Sequence, residues 1–210
     1  IRQHGQTILQ LTDKHLATYI EWFATLPMWL DLDGLRVVHA CWDDKAIATI
    51  QAARPDNEAL TSEFLHSAVE PGDMLFDAVE TVLKGNEAAL PNGTSFADKD
   101  GHLRTATRTR WYKSPLGHTY RTYALTDTID CDDPLEQYII DAAAPYPPDA
   151  KPVFVGHYWL SGNQPELLAD NVACVDYSVA KNGFLCAYRW NGEQCLSNKN
   201  FVWAGKPAPR

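Results

Sequence analysis

The sequence predicts a mixed α and β protein, a sandwich in which helices pack on sheets. Three observations lead there. Apolar residues recur at helical spacing early in the chain, as at Leu16, Tyr19, Ile20 and Phe23. The last third is rich in short apolar runs of buried-strand type, Lys151 to Val155 and Val172 to Tyr177 among them. Asp33-Gly34 and Asn191-Gly192 each separate two extended runs, as hairpin turns do.

Taken in order, Thr12 to Thr25 reads as an amphipathic helix with Thr12 as its cap and Pro27 as its stop. Trp29 to Leu32 and Leu35 to Ala40 are then two strands about Asp33-Gly34, a type I′ hairpin signal, and the second reaches His39. Thr61 to Val69 is a short helix. Asp73 to Lys84 is a stronger one, with Asp73 at the N-cap and Gly85 at the C′ position. A Gly- and Thr-rich stretch from Pro91 to Tyr123 holds a turn at Asp100-Gly101 and a β-prone segment from Arg104 to Trp111. Asp133-Pro134 opens a helix to about Ala143, and Pro145, Pro147 and Pro148 end it. The remainder is β: Lys151 to Val155 running into Gly156-His157, Val172 to Tyr177, then Phe184 to Trp190 and Glu193 to Leu196 about Asn191-Gly192.

The 210 residues suffice for one sizeable core, and the 45% apolar and 21% charged fractions are those of a globular chain. A net charge of -9 works against a general nucleic-acid binder, which needs clustered Lys and Arg. The five cysteines, Cys41, Cys131, Cys174, Cys186 and Cys195, are odd in number and form no C-x-x-C pair, which points to a reducing, cytoplasmic setting. No apolar run approaches the ~20 residues of a membrane span, and no secretory signal is visible.

Two segments share one design. Leu35 to His39 and Val153 to His157 are apolar strands that deliver an imidazole to the rim of a sheet, where sites form in layered α/β proteins. Two such histidines could share a divalent ion; the plain alternative is that each bonds nearby backbone. Asp43, close after His39, and Asp176 are candidates for carboxylates that support such ligands, against a solvated loop and a structural role respectively. Alternation along one strand puts Arg104, Arg108 and Arg110 on one face, suited to a phosphate or an acidic peptide if not merely solvated. Tyr158 and Trp159 would wall a substrate pocket or simply pack. A thiol hydrolase built on Cys41 and His157 is a further arrangement, set against an inert buried cysteine.

At these residues the chain resembles a known family. Leu26 to Ala40, with its Leu-Arg-Val-Val-His strand, resembles the segment of calcineurin-like metallophosphoesterases that enters a metal-binding histidine. The likeness is to the bacterial branch similar to Ser/Thr protein phosphatases and diadenosine tetraphosphatases. Val153 to His157 is similar to that family's later Gly-His motif. Val175 to Ser178 followed by Gly183 to Tyr188 resembles its closing strands. The ordered blocks frame residues from about 12 to 196. The resemblance implies one domain over 1–210, part of a calcineurin-like sandwich of mixed sheets flanked by helices, with a variable insertion at about 55–150. It implies His39 and His157 as metal ligands and manganese, iron or zinc as cofactor. The family's Asp-x-His, Gly-Asp-x-x-Asp and Gly-Asn-His motifs are not in the chain, which opens at Ile1 without an initiator Met. The expectation is therefore that they lie upstream, and that this piece binds metal incompletely and does not turn over substrate alone.

The function so implied is metal-dependent hydrolysis of a phosphoester in a small molecule, a nucleotide or a phosphoprotein, with no nucleic-acid or membrane partner. An exposed sheet edge would favour pairing into a homo-oligomer. The alternative is a non-catalytic binding or regulatory module derived from the same fold.

Overall fold

The computed structural model describes residues 5–55, 59–98, 101–125 and 128–205. It is a mixed α and β structure with small sheets and helices. The chain gathers into two compact units, the described part of Ile1–Met28 with Lys45–Val79, and Trp29–Asp44 with the described part of Glu80–Arg210.

The first unit is helical. Helix α1 is Gly5–Gln10 and α2 is Asp13–Ala24, where the Thr12 side chain accepts from the His15 N–H as the sequence predicts. No residue of α2 is buried, and Tyr19, Ile20, Trp22 and Phe23 are exposed. Arg54, which follows α3 (Asp44–Ala53), is buried, and its guanidinium donates to the Leu26 and Ala24 carbonyls at 3.2 and 3.3 Å. A cation thereby meets the acceptor-rich end of α2. Helix α4 is Ser62–Val69, capped by Thr61, and α5 is Met74–Lys84, whose residues from Glu80 onward belong to the second unit. Asp73 Oδ1 accepts from the Leu75 N–H at 2.8 Å, and Gly85 takes φ +86°, as the predicted cap and stop require.

The second unit is built on a four-stranded sheet of order β1-β2-β7-β8. Strands β1 (Trp29–Asp31) and β2 (Arg36–Val38) pair antiparallel, with Leu30 opposite Val37. The turn between them is not type I′, which needs positive φ at both central residues: only Gly34 has it, at +86°. Strands β7 (Val153–Val155) and β8 (Val172–Cys174) add in parallel to β2. Val153, Val155 and all of β8 are buried, the pattern of parallel strands covered on both faces. The expected strand Val172 to Tyr177 breaks at Val175, and β9 (Asp176–Tyr177) joins a second, antiparallel sheet of order β11-β10-β9, where β10 is Phe184–Tyr188 and β11 is Phe201–Ala204. Ala173, Tyr177, Phe184, Cys186, Leu196 and Phe201 form the core of this part, with Phe154 packed on it.

Three further expectations fail for physical reasons. Residues 193–196 form no strand, and β10 pairs with β11 instead. The Glu193 carboxylate takes the Asn191 N–H, the Tyr188 hydroxyl and the Asn200 amide, so side-chain bonds close the Asn191-Gly192 turn without a ladder. The helix expected from Pro134 is α7 (Gln137–Ala142), because Pro134 is held extended in a bridge to Thr119, beside α6 (Tyr120–Tyr123). The segment Arg104 to Trp111 breaks at Thr105: Arg104 ends β5 (Leu103–Arg104), paired with β4 (Phe96–Ala97), while Arg108 ends β6 (Ala106–Arg108), paired with β3 (Glu87–Ala89). The three arginines therefore do not share one strand face. Asp100 of the expected Asp100-Gly101 turn lies outside the described residues.

Candidate functional site

Strands β2, β7 and β8 run parallel and adjacent, so their carboxyl ends lie along one edge of the sheet. His39 follows β2 directly, His157 lies two residues beyond β7, and Asp176 lies two residues beyond β8. The topology alone thus brings together three side chains from widely separated stretches of chain. The strand ends are also tied: the Gly156 N–H donates to the His39 carbonyl at 2.9 Å, and the Val175 N–H to the Val155 carbonyl at 2.9 Å.

The two imidazoles meet. Their ring centroids lie 5.2 Å apart with 57° between the planes. His39 is exposed and His157 half-buried. Among the described residues neither ring nitrogen has a hydrogen-bond partner, so the plain alternative of rings bonded to backbone does not describe them. Burial lowers the His157 pKa to about 4, helped by the nearby positive potentials of His39, Arg108 and Lys84 and opposed by Asp176. The ring is therefore neutral at pH 7, the state in which an imidazole nitrogen can donate a lone pair.

His157 sits in a strained turn. Its φ is +66° and that of Trp159 is +49°. The loop is fastened on one side by Tyr158, whose hydroxyl donates to the Ala40 carbonyl at 2.7 Å and accepts from the Trp111 indole N–H at 2.9 Å. The Tyr158 hydroxyl is thus spent inside the protein, and any contact with a substrate would fall to its ring. On the other side Asp176 accepts from the Trp159 N–H at 3.3 Å and from the Ser178 N–H at 3.1 Å. Lys181 lies over the Trp159 ring, 4.4 Å from its centre.

The arginines separate. Arg108 pairs with Glu87 at 2.6 Å and donates to the Gly85 carbonyl, and its charge is felt at His157. Arg104 is paired with Asp98, and Arg110 donates to the Ala124 carbonyl. Lys84, at the end of α5, escaped the sequence analysis because its place near His157 depends on tertiary structure; nor did any local signal connect Trp111 with Tyr158, 47 positions apart. Asp43 is half-buried, and burial first and Asp43 second push the Cys41 thiol up. Cys41 is 1% exposed, so its sulfur is neither ionised nor reachable as a nucleophile needs to be.

Two histidines alone would make at most part of a metal site. Two imidazoles on one ion, each nitrogen about 2.0–2.1 Å from it, have ring centres roughly 5 Å apart, close to the separation of 5.2 Å here. Among the described residues no group of three or more His, Cys, Asp or Glu could hold a metal ion. The pair would be two ligands of a larger set. No helix among the described residues is long and apolar enough to cross a membrane. Comparison with known proteins brings no match: no family model, no curated protein and no solved structure is significantly similar to the chain.

Proposed function

We propose that this chain is the C-terminal part of the catalytic domain of a metal-dependent phosphoester hydrolase, a partial calcineurin-like sandwich, with His39 and His157 as ligands of one divalent ion. The observation that carries the proposal is the convergence of these imidazoles, ring centroids 5.2 Å apart, at the carboxyl ends of adjacent parallel strands. Manganese, iron or zinc suits such ligands, and the remaining ligands would come from outside the described residues. A bound divalent ion would supply Lewis acidity to a phosphoryl oxygen and acidify a water. The chain's own residues hold the neutral His157 ring beside His39, and the charges of Arg108 and Lys84 are felt there although each is paired, with Glu87 and Glu80. The substrate is a phosphomonoester, nucleotide or phosphoprotein.

The test has two arms. Isothermal titration of this chain with zinc or manganese measures binding, and His39→Gln and His157→Gln are each expected to weaken it by roughly 100-fold or more, since each removes a direct ligand. The full-length protein is then assayed for metal-dependent cleavage of p-nitrophenyl phosphate, which either substitution should abolish. Metal binding indifferent to both histidines, or no cleavage with manganese, iron or zinc, would sink the proposal and favour a non-catalytic module.

A further inference from the structure

The placement of His157 has a structural cause that the two imidazoles themselves do not supply. The chain leaves β7 at Val155 and bends sharply: the Tyr158 N–H donates to the Gly156 carbonyl at 2.7 Å, and His157 and Trp159 both take left-handed φ, +66° and +49°. A side chain with a β-carbon in that region costs about 1–2 kcal/mol, and for a bulky residue such as Trp159 it is a marked outlier. Two such residues within three positions persist only where the surroundings hold them.

The second loop of the site repeats the pattern. Beyond β9, Ser178 and Asn182 have φ of +57° and +66°. All four non-glycine residues with positive φ among those described lie in these two loops. One carboxylate joins them. Asp176 Oδ2 accepts from the Trp159 N–H at 3.3 Å, and Oδ1 accepts from the Ser178 N–H at 3.1 Å. Around that staple, the Leu160 N–H donates to the Asp176 carbonyl at 2.9 Å and the Ser178 hydroxyl to the Leu160 carbonyl at 3.3 Å. An acceptor-only group with two oxygens satisfies an N–H from each strained loop, whereas an asparagine amide of the same size has one oxygen and a donor in place of the other.

We infer that Asp176 is the positioning residue of the site: by joining the Trp159 and Ser178 N–H groups it fixes the left-handed turn that aims His157 at His39. It rests on the phosphoesterase proposal only where a metal is concerned, since the placement of the rings is a property of the protein alone. Asp176 does not itself touch the substrate.

The experiment compares this chain with Asp176→Ala and Asp176→Asn. One readout is the nuclear Overhauser effect between the His39 and His157 ring protons in metal-free protein. The other is zinc affinity by competition with a chromophoric chelator. Asp176→Ala is expected to lose the ring-to-ring effect and to bind zinc about 10- to 100-fold more weakly, the usual cost of removing a group that orients a ligand. Asp176→Asn keeps one oxygen acceptor and should fall between the two, a partial rescue that mere loss of folding would not produce. Wild-type behaviour of both variants overturns the inference. Should Asp176→Ala not fold, Asp176→Asn decides alone: weakened ring proximity supports the inference, and wild-type proximity overturns it. If the wild-type chain binds no zinc but its ring proximity depends on Asp176, the role of Asp176 stands, and the cleavage assay of the full-length protein decides the phosphoesterase proposal separately.

Discussion

At the scale of single residues, the most informative group is the His157 imidazole. Burial, with the positive potentials of His39, Arg108 and Lys84, lowers its pKa from 6.5 to about 4. The sign of the resulting pH dependence is fixed. Between those values the unfolded chain binds the proton and the folded chain does not, so stability rises with pH there. The contribution of the neutral ring is complete above pH 6.5 and is lost as the pH falls through 4. We predict that the urea midpoint of the metal-free chain, taken relative to that of His157→Gln, declines as the pH is lowered from 7 to 4. A difference that stays level across this range would mean that the ring is not desolvated as the structure has it. Of the candidate site, the two histidines were legible because each ends an apolar strand, and the sheet order turns two strand ends into one locus. The fate of the arginines was not legible, because the partners of Arg108, Glu87 and the Gly85 carbonyl, lie on another strand and at a helix end.

At the scale of elements, helices that carry their own punctuation were legible to within a residue or two. Thr12, Thr61 and Asp73 cap α2, α4 and α5 through local bonds that depend on little beyond the adjacent sequence. Hairpins were less so. Asp33-Gly34 gave the right pairing and the wrong turn type, and Asn191-Gly192 gave a turn without a second strand, because Glu193 draws its neighbours into side-chain bonds. The link between β9 and β10 shows what the sequence conceals. Gly183 is not there for its φ but for space: a β-carbon would overlap the Tyr177 carbonyl oxygen and lie 2.7 and 2.8 Å from the Ser178 carbonyl carbon and oxygen. Those neighbours are backbone and cannot rotate away. We predict that Gly183→Ala destabilises the chain by at least about 2 kcal/mol. Gly192→Ala is the comparison: it meets open space at φ +95° and should cost nearer ~1 kcal/mol. Denaturant midpoints measure both, and a Gly183→Ala no worse than Gly192→Ala would contradict the crowding described.

At the scale of the whole molecule, the sheet that carries the site is assembled from Arg36–Val38, Val153–Val155 and Val172–Cys174, segments far apart in the chain. Its formation depends on long-range closure, and its thiols report on it. Cys41 lies just past β2 and Cys174 ends β8; they are 1% and 0% exposed, and the Cys174 sulfur donates to the Gly156 carbonyl at 3.6 Å, beneath the His157 turn. Burial pushes the Cys174 thiol up to about 12 and the Cys186 thiol up to about 11, and drives Cys41 upward as well. Cys131 is also buried, and Cys195 is exposed. Alkylation needs a thiolate within reach of solvent. At pH 8 iodoacetamide should therefore add one group quickly, at Cys195, while the other four react only as the structure opens. Intact mass against time counts the adducts, and peptide mapping places them. Because Cys41 and Cys174 flank the same sheet edge, they should become reactive together as urea is raised, in step with loss of the His39–His157 ring proximity. Fast modification of Cys41 in the native protein would contradict its burial and return the thiol-hydrolase arrangement to contention. Slow modification of Cys41, at the rate at which the sheet opens, would count against that arrangement.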